Sequence, residues 1–254
     1  MVSRQQGVAE SMKKEIVTEG LGQHNLQLDA SIKRLQKVGS ALDQSTICVI
    51  PSRGIMPTKV VQNWFGMLTP MNQKFFRICM IGMEVGEAYN SVFEMILNHP
   101  ELSKWKYVLT LEDDNMVPQD GLLKLLEDMQ EVDVAGGLYW TKGEGGQPMI
   151  YGNPAVFPRN YIPQQPVPGT LQRCNGLGMG FTIFKLDIFR DLRLNTKDMK
   201  PWFKTVQEVI PGKGTSAWTQ DLFFFEKLNS LGYRIACDTR VLVGHYDLQY
   251  DMVW

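Results

Sequence analysis

The chain lacks closely spaced cysteines, a long apolar run and an excess of charge of one sign. Its 254 residues hold four cysteines without a Cys-x-x-Cys pair, which argues against a zinc site and favours free, buried thiols in a reducing compartment. The formal net charge of −1 argues against a nucleic-acid partner. No stretch approaches the roughly 18 apolar residues of a membrane helix, and the polar start resembles no signal peptide. These absences predict a soluble, cytoplasmic protein.

The length suits one large α/β domain, or one domain with an extension. Residues 1–45 are polar and weakly patterned, although Leu28, Ile32 and Leu35 have the spacing of one face of a short helix. We expect an N-terminal extension that packs on the domain or binds a partner, with a partly disordered tail as the alternative. The main domain is predicted over residues 46–254.

The stretch Tyr107–Leu111 anchors the rest of the chain, because its apolar and β-branched residues are typical of a strand buried on both faces. Glu112, Asp113 and Asp114 follow it directly, and a helical pattern begins after Pro118. The acids therefore lie at the carboxyl end of a strand, the edge at which open α/β sheets bind ligands. A hard cation such as Mg²⁺ or Mn²⁺ would relieve their mutual repulsion. The alternative is a solvated acidic turn that favours the next helix dipole.

Two further strands precede this one, at Ile47–Ile50 and Phe75–Ile81, and apolar residues at helical spacing follow each of them. Alternating strands and helices predict a parallel sheet with right-handed crossovers. The first strand leads into Pro51, Ser52 and Arg53, where an arginine can pair with a phosphate. An arginine tied to the edge of the sheet is the alternative.

The segment Cys174–Phe184 carries glycines at alternate positions, including Gly178, and then turns into a β-rich run. This is not a dinucleotide fingerprint, which would open a helix. Glycines at a strand entry indicate a backbone that lies close to a ligand, or else a bulged strand start.

The last third of the chain adds a helix start at Thr219–Gln220–Asp221 and a late strand that ends at His245. Taken alone, Asp221 is a dipole-stabilising carboxylate and His245 a structural histidine. The preceding loop, residues 201–217, contains glycines and is a candidate lid over a ligand. Trp218, at its end, can stack on a sugar or belong to the core.

Four features now stand in a fixed order: the acids after the third strand, the glycine-rich segment, the Asp221 helix start and the late His245. Together they resemble the GT-A family of nucleotide-sugar glycosyltransferases, and most closely its small bacterial and phage-type members. The resemblance covers about residues 46–247. It implies a GT-A-like Rossmann-type α/β sandwich around a mostly parallel mixed sheet, and a hexosyltransferase-like activity that moves a sugar from a UDP- or GDP-sugar to an acceptor hydroxyl.

The resemblance also implies roles for single residues. The run from Glu112 to Asp114 looks like the acidic DXD signature, with Asp114 and His245 as ligands of Mn²⁺, or of Mg²⁺, and Asp221 matches the acid that serves the acceptor as catalytic base. The remaining matched positions are expected to contact the donor: Pro51, Ser52, Arg53, Asn90, Glu112, Asp113, Gly178 and Trp218. The chain departs from the family at Glu112, where Asp is commoner, and at Gln220, where Glu is usual.

Two other functions stay open. A sugar nucleotidyltransferase would need a longer glycine-rich loop than Pro51–Gly54 after its first strand. A non-catalytic protein that binds a nucleotide sugar or a carbohydrate would keep the fold and tolerate Glu112 and Gln220. The nature of the acceptor, which is a glycan, a protein or a small molecule, and the stereochemistry of transfer do not follow from the sequence.

Overall fold

The computed structural model describes residue 34 and residues 42–71, 73–210 and 214–254, without the side chains of 208–210 and 214–217. The helix predicted around Leu28–Leu35 therefore lies outside the described residues, except for Arg34. The Arg34 guanidinium lies 3.2 Å from Asp120 Oδ2 and 3.2 Å from Glu127 Oε1. At this residue, the N-terminal extension contacts the main domain.

The main domain contains a seven-stranded sheet in the order β2-β1-β3-β9-β5-β12-β7. Strands β2, β1, β3, β5 and β12 run parallel, whereas β9 and β7 are antiparallel to their neighbours. The strands of this sheet are β1 (Thr46–Ser52), β2 (Phe75–Ile81), β3 (Tyr107–Leu111), β5 (Val134–Leu138), β7 (Leu171–Arg173), β9 (Phe181–Lys185) and β12 (Ile235–Leu242). The predicted α/β fold with a mostly parallel mixed sheet is confirmed.

Helices and short strands surround this sheet. The helices are α1 (Thr58–Phe65), α2 (Val85–Asn98), α3 (Gly121–Asp128), α4 (Asp187–Arg190) and α5 (Gln220–Ser230), with a 3₁₀ turn at Leu102–Lys104. The short strands are β4 (Asn115–Met116), β6 (Ile150–Tyr151), β8 (Gly176–Leu177), β10 (Val206–Ile210), β11 (Gly214–Trp218), β13 (Gly244–Asp247) and β14 (Met252–Val253). None of the described helices has the length and apolarity required to cross a membrane.

Alternate residues of β1 feed two hydrophobic cores, one on each face of the sheet. Ile47 and Val49 join the core that also contains α2 and α5, while Cys48 and Ile50 join the core beneath α1 and α3. Both faces are buried, which explains why β1 is an unbroken apolar run. The chain goes from β1 outward to β2 and then returns to β3 on the other side of β1. The carboxyl ends of β1 and β3 therefore border the crevice at which such sheets bind ligands.

Several expectations about individual segments are wrong. Buried thiols were expected, but Cys79 is an exposed thiol on the outermost strand, unlike the three buried cysteines. Phe65 has the apolar spacing of the helix that follows β1, yet it is 71% exposed. The sequence predicted a late strand that ends at His245, whereas β12 ends at Leu242 and His245 lies inside β13.

The loop before Asp221 also differs from the expectation. Trp202 and Phe203 are each 1% exposed and belong to the core on the α2 face, so this part of residues 201–217 is not a lid. The antiparallel pair β10 and β11 follows, whereas the sequence predicted only a loop.

Candidate active site

The loop after β1 and the acidic turn after β3 meet at the carboxyl edge of the sheet. The backbone N–H of Arg53 donates to Asp113 Oδ2 at 3.4 Å, and Ser52 Oγ accepts from the N–H of Gly54 at 3.0 Å. Gly54 has a φ of 100°, in the left-handed region that favours glycine. The residues predicted to hold a nucleotide at the end of β1, beginning with Pro51, are thus neighbours of the acidic cluster.

Asp114 and His245 are brought together by a short ladder. Strand β4 pairs antiparallel with β13, which sets His245 opposite Asn115, and the backbone N–H of Tyr246 donates to the Asp114 carbonyl oxygen at 2.7 Å. His245 Nε2 then lies 3.4 Å from Asp114 Oδ2. The two residues that the sequence assigned to a metal are therefore adjacent, although 131 positions separate them in the chain (245 − 114).

The tautomer of His245 follows from its other nitrogen. Nδ1 lies 2.8 Å from the carbonyl oxygen of Trp140, and because a carbonyl can only accept, Nδ1 must carry a proton. In the neutral ring, Nε2 then presents a lone pair towards the Asp114 carboxylate. This lone pair and carboxylate repel each other unless a cation or a second proton intervenes. A ring whose far N–H donates to a backbone carbonyl is the usual arrangement of a metal-binding histidine.

Lys142 also contacts Asp114, which the sequence analysis did not foresee. Its Nζ lies 2.6 Å from Asp114 Oδ2, the same oxygen that faces His245. Burial would raise the pKa of Asp114, but the hydrogen bonds from Lys142 and from His245, which can donate through Nε2 when its ring carries a second proton, outweigh burial and hold that pKa below its ordinary value. Asp114 is therefore a carboxylate at neutral pH.

Glu112 behaves in the opposite way. Desolvation, together with the negative charges of Asp114, Asp221 and Asp113, raises its pKa to about 8. The hydroxyl of Tyr89 donates to Glu112 Oε1 at 3.4 Å and offsets only part of this effect. Glu112 is therefore mostly protonated at pH 7 in the metal-free protein.

Asp221 lies at the start of α5, is 6% exposed, and is close enough to Glu112 for its charge to raise the pKa of Glu112. Its Oδ1 accepts from the backbone N–H of Leu222 at 2.8 Å and from the hydroxyl of Thr219. Thr219 is the N-cap residue but makes no side-chain bond to the helix backbone. Burial raises the pKa of Asp221 above its ordinary value, as suits a general base.

Gly178 and Gly180 pack around the buried Tyr139. The Tyr139 hydroxyl accepts from the N–H of Gly180 at 2.8 Å, and a Cβ at Gly178 would lie only 2.1 Å from that oxygen. The Tyr139 ring also meets the His245 ring edge-on, with centroids 5.5 Å apart. Gly178 thus permits the close approach of a tyrosine that contacts His245, and Gly180 permits that of Asn115. The contact of these glycines with a ligand stays a prediction.

Asn90 is already engaged by the protein itself. Its amide nitrogen donates to the carbonyl oxygens of Gly86 at 2.7 Å and Phe203 at 2.8 Å, and its amide oxygen accepts from the Phe203 N–H at 3.1 Å. These three bonds engage both polar atoms of its amide, and the expected nucleotide contact stays a prediction. We assign Asn90 the role of joining α2 to the segment around Phe203.

Trp218 is 37% exposed at the end of β11 and meets Tyr161 in an edge-to-face contact, with ring centroids 5.4 Å apart. Tyr161 donates to Glu226 Oε2 at 2.7 Å. This bond to a residue of α5 holds the Tyr161 ring that contacts Trp218. An exposed indole of this kind can stack on a sugar face.

Within the described part of the chain, no group of three or more His, Cys, Asp and Glu side chains is placed to hold a metal ion. Asp114 and His245 offer two ligands. Their donor atoms, a carboxylate oxygen and an imidazole with its tautomer fixed, fit a divalent cation whose other ligands come from phosphate or water.

The seven-stranded, mostly parallel sheet with its helices is an α/β fold of GT-A-like Rossmann type. The STIV protein A197 is similar, with a TM-score of 0.54 and 19% identity over 80% of this chain and 86% of that chain. This likeness concerns the fold alone. Two structures of S. aureus TarS 1–349, one in complex with UDP-GlcNAc, each give a TM-score of 0.40 at 12% and 10% identity. In both cases the matched region covers 76% of this chain, and it covers 57% and 55% of the respective TarS chain. No protein-family model and no curated protein matches the chain.

Sequence reasoning missed Lys142 and Tyr139. The local signals were a lysine in the glycine-rich run Thr141–Gly146 after a strand, and an aromatic residue two positions after Gly137. Neither signal identifies a partner, because the partners, Asp114 for Lys142 and Gly180 for Tyr139, lie in distant parts of the chain.

Proposed function

We propose that this protein is a metal-dependent glycosyltransferase that moves a sugar from a nucleoside-diphosphate donor to an acceptor hydroxyl. One observation carries the proposal: Asp114 and His245, from distant parts of the chain, converge at the carboxyl edge of β3 with the histidine tautomer fixed by Trp140. This is the edge at which an open α/β sheet binds its ligand.

Asp114 and His245 would hold the divalent cation, and we favour Mn²⁺ over Mg²⁺ because imidazole is the softer ligand. When bound, the cation would neutralise the charge of the diphosphate as it departs. Without it, a diphosphate would meet the acidic side chains of Asp113 and Asp114 and would be repelled.

The donor would lie across the ends of β1 and β3. The exposed Arg53 side chain supplies positive charge for a phosphate, and Ser52 and Asp113 fix the loop that carries it. Glu112, protonated at neutral pH, can donate a hydrogen bond to a donor oxygen. Trp218 presents a partly exposed ring for a sugar face.

Asp221 would serve the acceptor. A buried carboxylate with a raised pKa takes a proton from a hydroxyl more readily than an ordinary aspartate. Its Oδ1 is fixed by Thr219 and Leu222, which orients the carboxylate. This role requires transfer with inversion, whereas in a retaining enzyme Asp221 would position the substrate. All four cysteines are free, which suits a reducing compartment such as the cytoplasm.

The test is a thermal-unfolding screen of UDP, GDP, CDP and ADP, each with Mn²⁺, with Mg²⁺ and with a chelator. A nucleotide that binds only the folded protein raises the melting temperature, by linkage. We expect one nucleotide to stabilise the protein in the presence of metal and not in chelator.

Two variants sharpen the screen. Asp114→Asn should abolish the metal-dependent stabilisation, whereas Asp198→Asn, an equal change of charge at an exposed residue, should preserve it. The proposal is refuted if no nucleotide shifts the melting temperature with either metal, or if the shift survives in Asp114→Asn.

A further inference from the structure

Lys142 is presented to the acidic cluster by a closed turn. The N–H of Thr141 donates to the Gln147 carbonyl oxygen at 2.9 Å, and the N–H of Gln147 donates to Thr141 Oγ1 at 2.9 Å. Inside the turn, Gly143 and Gly145 have φ values of 99° and 74°, which other residues adopt only with strain. The conformation of this turn therefore fixes where the backbone of Lys142 lies.

The ammonium of Lys142 lies against one oxygen, Asp114 Oδ2, and His245 Nε2 faces that same oxygen. Both side chains of the ion pair are part-buried, with 31% exposure for Lys142 and 27% for Asp114. A divalent cation held by Asp114 and His245 would bind the same carboxylate as the Lys142 ammonium. Two cations on one carboxylate repel each other, and the flexible lysine stem is the part that can move away.

We propose that Lys142 is a built-in counter-cation that competes with the divalent metal for Asp114. In the metal-free protein, the ammonium balances the carboxylate, and the metal must displace it. This inference rests on the proposed function in so far as Asp114 is taken as a metal ligand. It adds a positioning residue that the resemblance to glycosyltransferases did not supply.

The test measures Mn²⁺ affinity in the absence of nucleotide, by the loss of the free-ion signal in electron paramagnetic resonance. Lys142→Met removes the charge and keeps most of the stem, so it should bind Mn²⁺ roughly 1.5- to fivefold more tightly, the range expected for loss of a part-exposed ion pair. Lys142→Arg keeps the charge and should bind like the parent.

Lys104→Met is the matched control. Lys104 is 68% exposed and pairs with Glu101. It lies just before the start of β3, whereas Asp114 follows the end of that strand. It removes one positive charge without touching the site, so the affinity for Mn²⁺ should stay at the parent value. An equal gain in Lys104→Met and Lys142→Met would show a general effect of net charge and overturn the inference.

Thermal stability provides a second readout that a structural role alone would not produce. In chelator, Lys142→Met should melt below the parent, because Asp114 has lost its ammonium. With saturating Mn²⁺ the difference should close, because the metal has then replaced the lysine in both proteins. A deficit of the same size in both conditions would overturn the inference.

The affinity data also separate this inference from the proposed function. Unchanged or weaker Mn²⁺ binding by Lys142→Met, or no binding by parent and variant, overturns the competition. Tighter binding by the variant, in a protein that binds no nucleoside diphosphate, supports the competition and rejects the glycosyltransferase.

Discussion

Gly178 is the position at which one added methyl group should do most damage to the candidate site. In Gly178→Ala, the new Cβ would lie 2.1 Å from the Tyr139 hydroxyl oxygen and 2.7 Å from Met149 Cε. The methionine can move, but the hydroxyl is fixed by the N–H of Gly180 at 2.8 Å. Overpacking of a core costs about 1–3 kcal/mol, and a buried hydrogen bond left unmade costs about 1–3 kcal/mol.

We expect Gly178→Ala to lower the free energy of unfolding by about 2–4 kcal/mol, because relaxation of the backbone relieves part of the clash. For a protein of this size, each kcal/mol corresponds to about 2–4 °C in melting temperature. Urea unfolding followed by circular dichroism gives the free energy directly. Gly66→Ala is the control, since its Cβ would meet the terminal amide nitrogen of Gln119 at 2.8 Å, and that flexible side chain can move.

A double-mutant cycle tests the cause. Tyr139→Phe alone leaves the Gly180 N–H without its acceptor and should destabilise by about 1–3 kcal/mol. In the double variant with Gly178→Ala, the clashing oxygen is absent, so the combined loss should fall short of the sum of the two single losses. A Gly178→Ala protein as stable as the parent, or strictly additive losses, would refute this reasoning.

Three further predictions concern single side chains. The folded protein raises the pKa of Glu112 from its ordinary 4.5 to about 8, so it holds a proton that the unfolded chain releases, and in chelator its stability should fall between pH 5 and pH 8. Urea titrations at several pH values measure this fall in stability. Glu112→Gln should no longer show the fall, whereas the exposed control Glu131→Gln should still show it. If the stability of Glu112→Gln depended on pH in the same way as that of the parent, the pKa shift of Glu112 would be contradicted. Asn90→Ala should cost about 2 kcal/mol through its bonds to Phe203 and still bind nucleotide normally in calorimetry; a stable variant with weakened nucleotide binding would restore the ligand role. Asp221→Asn should retain the nucleotide-dependent rise in melting temperature, while the rate of sugar transfer should fall by about 10²–10⁴-fold. An unchanged rate of transfer would contradict the role of Asp221 as the base.

The sheet could be predicted because its signals are local. The unbroken apolar runs of β1 and β3 and the helical spacing in α2 each lie within one element. The parallel arrangement then follows from the alternation of strands and helices. Tertiary contacts override such signals elsewhere: Phe65 fits the apolar spacing of α1, yet it is exposed at the last residue of the helix.

The candidate site was only partly predictable, because its contacts join distant residues. The adjacency of Asp114 and His245 could be anticipated, since both follow or enter strands at one edge of the sheet. The reach of Lys142 to the same carboxylate depends on turn geometry that two glycines with positive φ create. The role of Asn90 depends on where the Phe203 segment packs, and no periodicity encodes that position.

Glu112 and Asp114 are separated by one residue, yet the protein drives their pKa values in opposite directions. Desolvation and three negative neighbours raise the pKa of Glu112 to about 8, whereas Lys142 and His245 hold that of Asp114 low. Two carboxyl groups whose environments separate their pKa values are suited to different tasks. Asp114 remains an anion for a cation, and Glu112 keeps a proton with which it can donate. The opposite pKa shifts of Glu112 and Asp114 therefore support separate roles for the two acids in the proposed site.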